Sequence, residues 1–243
     1  MDVLTKQKDR TSCVYCGSKT NITSDHIPPK CLFRERKGLQ LITVPACDKC
    51  NSSYKKDDEY FRIYASVDIS RNKQGEKLWY EKVMGSTFRR SPKLRKTIIS
   101  NITDISVNVK KLDGSILKGK ILNLDSSRIN NVLIRIVKGL YWYHYNKCLP
   151  SNTLFEVCQN PPIDDEIKGI LLRTKFCTIG DEEFKYRHRR CDDDNFTSVW
   201  GLSFFMGAHF LVFTKLCDSN TKDKIKSFQF DGCKKEHGKL FSM

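Results

Sequence analysis

The chain has 243 residues, 39% of them hydrophobic, enough for one large domain or two small ones with a packed core, which excludes a disordered or low-complexity polymer. Its formal charge of +15 at pH 7 favours a polyanionic partner such as nucleic acid. Eleven cysteines, with no export signal and no uninterrupted apolar run of membrane length, indicate reduced thiols in a soluble cytoplasmic protein with no membrane span, not a secreted disulfide framework.

In chain order, residues 1–50 are loop-rich, with short strands expected over Ile22 to Ile27 and Leu39 to Pro45. A helix capped by Asn51 should run to Val67. Asp57, Asp58 and Glu59 fall in its N-terminal turns, where the dipole favours acids, and Tyr54, Phe61 and Tyr64 form an apolar stripe. Residues 71–120 carry 13 basic and 4 acidic residues and so hold +9 of the total charge; Trp79, Tyr80 and Phe88 stand among the cations as flat rings beside phosphate-binding groups. Alternation from Ile105 to Leu124 around Asp113-Gly114 predicts a hairpin.

Ser126 or Ser127 is the expected cap of a second amphipathic helix. Its aromatic end, with Trp142, His144 and Tyr145, reads as core. Beyond Pro150 follow a short helix from Asp164, three strands within 182–191, 197–207 and 208–215, and a Lys-rich tail after Ser219. His188, among Arg187, Arg189 and Arg190, marks either a phosphate-contacting strand or a solvated edge; His209 reads as structural, and most cysteines outside the motif below as core thiols.

The most specific pattern is a pair of Cys-x-x-Cys knuckles. Cys13 and Cys16 precede Gly17; Cys47 and Cys50 precede Asn51. A two-residue gap lets one tight turn aim both thiolates at one ion, and two such turns give a closed four-sulfur shell, the pattern of a structural Zn²⁺ site. Between the knuckles stands Asp25-His26, followed by Pro28 and Pro29, which stop strand pairing and present the acid and the imidazole at a strand end.

Together, "CVYC", "SDHIPPKCLF" and "LITVPACDKCNSSYKKDDEYF", over about residues 11 to 65, resemble the zinc-containing branch of the HNH endonucleases, whose fold is a ββα-metal nuclease. The resemblance implies that His26 is the general base, that Asp25 binds a catalytic divalent ion, and that Asn51 binds that ion or orients the histidine. A further family position in the helix, often His or Asn, has no counterpart between Ser52 and Ile63, where Lys56, Asp57, Asp58 and Glu59 stand. Residue chemistry agrees with these roles: imidazole suits deprotonation of water near neutral pH, and carboxylate and carboxamide oxygens suit Mg²⁺ or Mn²⁺.

The expectation is therefore an α+β protein: a zinc-braced HNH module over 1–70, a basic linker helix and hairpin over 71–124, and a C-terminal α+β domain over 125–243 with a targeting, partner-binding or sensor role. The expected activity is metal-dependent hydrolysis of DNA, RNA not being excluded, in the restriction or anti-phage roles the resemblance implies. Lys30, Lys55, Lys56, Arg89, Arg90, Lys93, Arg95 and Lys96 are the expected nucleic-acid contacts. A homodimer or a regulatory protein partner stays open. The alternative is a non-catalytic zinc-dependent nucleic-acid-binding or regulatory module.

Overall fold

The computed structural model describes residues 8–35, 38–68, 70–110, 116–161, 169, 173–217 and 238–241. The Asp113-Gly114 turn, the helix expected from Asp164 apart from Gly169, and the tail after Ser219 apart from Gly238–Phe241 lie outside them. Helices and three antiparallel sheets make a mixed α+β structure, and no helix among the described residues is long and apolar enough to cross a membrane. One hydrophobic cluster reaches from Val14 to Val212.

The first sheet is a hairpin of β1 (Ile22–Ile27) and β2 (Ile42–Cys47), with Ile22 opposite Cys47 and Ile27 opposite Ile42. β1 stops where Pro28 begins. β2 starts later than expected and runs through Pro45, because that proline's missing N–H lies on the edge away from β1: its carbonyl faces outward and accepts from Val14 N–H at 3.0 Å. Two helices follow, α1 (Asp48–Ser53) and α2 (Lys55–Val67). The single helix capped by Asn51 is thus corrected. Cys47, extended at φ −72° and ψ 154°, precedes the first helical residue, Asn51 lies inside α1, and Tyr54 interrupts the two. Phe61 and Tyr64 of the expected stripe are buried, whereas Tyr54 is half-buried.

The first part of the basic stretch is helical nearly throughout: α3 (Lys73–Lys77), a π-helical turn sequence over Leu78–Thr87, α4 (Phe88–Arg90) and α5 (Pro92–Ser100). Buried Leu78, Trp79, Val83, Thr87 and Phe88 recur at spacings of four to five residues, which suits the wider turn of a π-helix and puts them on one face. Trp79 and Phe88 are buried and meet edge to face at 6.0 Å, so the expectation that they lie open beside the cations is corrected; Tyr80 alone of the three is exposed, at 52%. A second sheet has the order β10 (Gly238–Phe241), β4 (Ile116–Asn123), β3 (Ile102–Lys110).

At the centre is α6 (Ser126–Tyr145). Its cap is Asp125, one or two residues before the expected serines, because the carboxylate accepts from both Ser127 N–H (2.9 Å) and Ser127 Oγ–H (2.6 Å). Asn146 ends it in the left-handed region at φ 50°. The helix packs against α2, β1, β2 and the third sheet, whose order is β5 (Thr153–Gln159), β9 (Ala208–Leu216), β8 (Ser198–Phe204), β7 (Phe184–Arg190), β6 (Cys177–Ile179).

Trp142 is core, as expected. His188 is half-buried on β7, whose residues 187–190 pair, among the described residues, with β8 alone, and Arg189 beside it is exposed. The His188 ring stacks on Trp200 at 4.5 Å, lies 4.2 Å from the His144 ring and shares a hydrogen bond of 2.7 Å with the Tyr145 hydroxyl. Burial lowers both histidines to about 4, so they are neutral at physiological pH. His209 is exposed on β9. Outside the two knuckles, Cys158 is buried, Cys31, Cys177 and Cys217 are half-buried, and Cys148 and Cys191 are exposed, which corrects the reading of most of these as core thiols; Cys233 lies outside the described residues.

The seam between α6 and β1 is close. A Cβ added at Gly139 would stand 2.6 Å from Ile27 Cγ1 and 2.8 Å from its Cδ1. Gly139→Val is therefore expected to lower stability by about 1–3 kcal/mol through overpacking, read from urea unfolding midpoints. A wild-type midpoint in the variant would show that the seam can yield.

Candidate metal centre and adjoining cleft

Two local structures bring four sulfurs together. In the first knuckle, Cys13 N–H donates to Ser18 O and Gly17 N–H to Cys13 O, both at 2.8 Å. The turn needs Gly17 at φ +74°, where nothing lies within 4 Å of an added Cβ, so backbone conformation and not crowding demands the glycine. In the second, the passage from β2 into α1 sets Cys47 at the helix cap and Cys50 one turn on, the same face of the helix.

The four Sγ atoms of Cys13, Cys16, Cys47 and Cys50 lie within 4.8 Å of one another, with Cys16 and Cys47 at 3.7 Å. A tetrahedral zinc with Zn–S bonds of about 2.3 Å needs sulfurs about 3.8 Å apart, so this donor set could hold one zinc with no position left open. The backbone N–H of Cys50 holds the Cys47 thiol down at about 7 against the effect of burial, while burial and then the neighbouring thiols push Cys50 up. Sulfurs this close cannot all ionise without a cation between them.

Beside this cluster is an open cleft of ≈ 800 Å³, and Asp25, His26, Asn51, Lys30 and Lys55 all line it. Asp25 is 7% exposed and held from several sides. Its Oδ1 accepts from the His26 backbone N–H at 2.8 Å, and its Oδ2 accepts from the Tyr15 hydroxyl at 2.7 Å. Tyr15 belongs to the first knuckle, and burial raises its pKa well above the ordinary range, so it remains a donor. The Asn51 Nδ2 donates to Thr23 Oγ1 at 3.1 Å, and Thr23 Oγ in turn donates to Ala46 O at 3.0 Å, which ties α1 to both strands.

Asp48, Lys49, Asp58, Glu59 and Arg62 complete the charged lining. Asp58 accepts from Arg135 Nη2 at 2.6 Å; burial pushes its carboxyl up to about 6, with the guanidinium opposing. Glu59 accepts from Arg62 Nη2 at 3.2 Å and lies 3.9 Å from Arg90 Nη2. Arg135 has no sequence signal that links it to the motif. Asp58 and Arg62 could have been found as one face of α2, since Lys55, Asp58, Glu59 and Arg62 follow i, i+3, i+4 spacing.

With Asp25, Asp48, Asp58 and Glu59 facing Lys30, Lys49, Lys55 and Arg62, the cleft is balanced in charge. The excess of cations lies elsewhere. Arg89, Arg90, Lys93, Arg95 and Lys96 are exposed on α4 and α5, and Lys56 is exposed at the start of α2; none of these lines the cleft, although Arg90 reaches its edge at Glu59. Among the described residues, the four cysteines are the single group of three or more Cys, His, Asp or Glu side chains gathered closely enough to share an ion.

Cys47→Ser is expected to abolish zinc retention, measured by elemental analysis of purified protein, and to lower the thermal midpoint by roughly 10 °C, the equivalent of about 3–5 kcal/mol. One zinc per chain retained at the wild-type midpoint would rule out the four-sulfur shell. Comparison of the chain with protein-family models, with curated proteins and with solved structures gives no match in any of the three.

Proposed function

We propose that the chain is a metal-dependent endonuclease of the HNH type that hydrolyses phosphodiester bonds, with DNA as its substrate. One observation carries the reading: the His26 imidazole, the Asp25 carboxylate and the Asn51 carboxamide, from a strand and the helix after its partner strand, line one cleft next to a four-thiol cluster. A purely structural metal knuckle gives no reason for those three groups to line the same cleft.

In this reading His26 takes a proton from the attacking water, a task suited to an imidazole at neutral pH. Asp25 and the Asn51 amide oxygen are hard oxygen donors that suit Mg²⁺ or Mn²⁺, which would neutralise charge on the phosphate and its leaving oxygen when bound. Each Asp25 oxygen already accepts one hydrogen bond and keeps a further lone pair. The Asn51 Nδ2 bond to Thr23 leaves the carbonyl oxygen as the free end of the amide. Zinc held by Cys13, Cys16, Cys47 and Cys50 would brace the frame, and Tyr15 of the first knuckle holds the acid. The exposed cations of α4 and α5, with Lys30, Lys55 and Lys56, hold the polyanion, while the charge-balanced cleft does the chemistry. Restriction or defence against phage is the biological setting that fits such an activity.

Wild-type protein is expected to nick supercoiled plasmid with Mg²⁺ or Mn²⁺, and His26→Ala to reduce the rate by about 100-fold or more with zinc content and circular dichroism unchanged. Wild-type protein that binds the plasmid without nicking it would replace this reading with a zinc-dependent binding module. For the phosphate contacts, Lys93→Ala and Arg95→Ala are each expected to reduce the slope of log affinity against log salt by about one, measured by fluorescence anisotropy with duplex DNA. An unchanged slope in both would place the DNA path elsewhere.

A further inference from the structure

We infer that Arg135, in the middle of α6, is a positioning residue for the cleft: its guanidinium sits behind β1 and α2 and fixes how Asp25 and Asp58 stand in the cleft wall. What that orientation serves rests on the hydrolytic reading above; the geometry does not. The side chain is 1% exposed. Nη2 donates to Asp58 Oδ1 at 2.6 Å, Nε stands 3.8 Å from Asp25 Oδ2, and the Tyr54 ring covers the guanidinium at 4.7 Å.

Stability alone does not account for this arginine. Nε and Nη1 are buried and make no hydrogen bond, which is costly for a cation out of water. An apolar side chain of similar volume in place of a buried ion pair is often neutral or stabilising. The position of the charge gives it a use. It lies between two carboxylates that belong to the same cleft, one on β1 and one on α2, which would otherwise repel each other. Asp25 Oδ2 is met by Tyr15 from the metal-knuckle side and faces Arg135 from the opposite element, so two separate parts of the chain decide its orientation.

The height of Arg135 along α6 is set by packing. Gly139, four residues on and therefore on the same face, lets Ile27 approach, and Ile27 is two residues from Asp25 on the same face of β1. Helix and strand thus meet through two matched pairs, Gly139 with Ile27 and Arg135 with Asp25. The His26 backbone N–H offers a spectroscopic reporter. Since Ser24 and Pro45 form a pair without ladder bonds, His26 and Thr43 do too, and the His26 N–H points away from β2 to Asp25 Oδ1.

The test uses the full-length zinc-loaded chain. Arg135→Met alone leaves Asp58 buried without a partner and can unfold the protein, so the deciding variant is the double Arg135→Met with Asp58→Asn, beside Arg135→Lys. In the double variant, amide exchange at His26 is expected to speed up by about tenfold or more while the ladder amide of Val44 keeps its wild-type rate, with partial recovery in Arg135→Lys. Plasmid nicking should fall by about 10–100-fold in the same protein. A folded double variant with wild-type exchange at His26 overturns the role given to Arg135. Absence of nicking by the wild type removes the hydrolytic reading instead, and the His26 amide still decides the matter of Arg135.

Discussion

Everything near the cleft depends on four sulfurs being drawn to one point. Cys13 and Cys16 lie on a loop, whereas Cys47 and Cys50 lie where β2 becomes α1, so an ion shared by the four would join the loop to the strand-helix junction. Binding free energy of such an ion is folding free energy for the segment it closes. The effect is carried past the metal by Tyr15. Its backbone belongs to the knuckle and its hydroxyl holds Asp25, so the thiol cluster and the carboxylate are one side chain apart.

A second constraint comes from the opposite side. α6 presses on β1 through a glycine, and this fixes Asp25 between the knuckle's tyrosine and the helix's arginine. Neither support belongs to the cleft surface itself. The lining residues can therefore be mostly polar and open to solvent, while the parts that keep them in place are buried. Charge follows the same separation, with acids and bases balanced in the cleft and unopposed cations on α4 and α5.

Much of this was legible in the amino-acid order, for reasons that differ by element. β1 was legible to the residue because Pro28 ends it, and β7, β8 and β9 because alternation of large apolar side chains on a half-buried sheet has period two. The thiol cluster was legible because ligand spacing is local. The start of α1 was not: Asn51 is a good cap by type, but the geometry of the knuckle had already started the helix at Asp48. Trp79 and Phe88 were misread because a cation-rich stretch hides a buried face that recurs at four to five residues instead of the usual three to four. Arg135 was illegible because its partners, Asp25 and Asp58, are distant in the chain, and an arginine on the buried face of an amphipathic helix carries no mark of what it will meet.

The Gly139–Ile27 seam also bears on the order of events in a growing polypeptide. By the time a ribosome has delivered both knuckles and the strand with Asp25 and His26, the helix that must lie behind them has not been synthesised. All four thiols of the cluster are present early, but the cleft lacks a back wall until α6 has emerged and closed a long loop. Maturation of the cleft is thereby coupled to translation of sequence well beyond the motif.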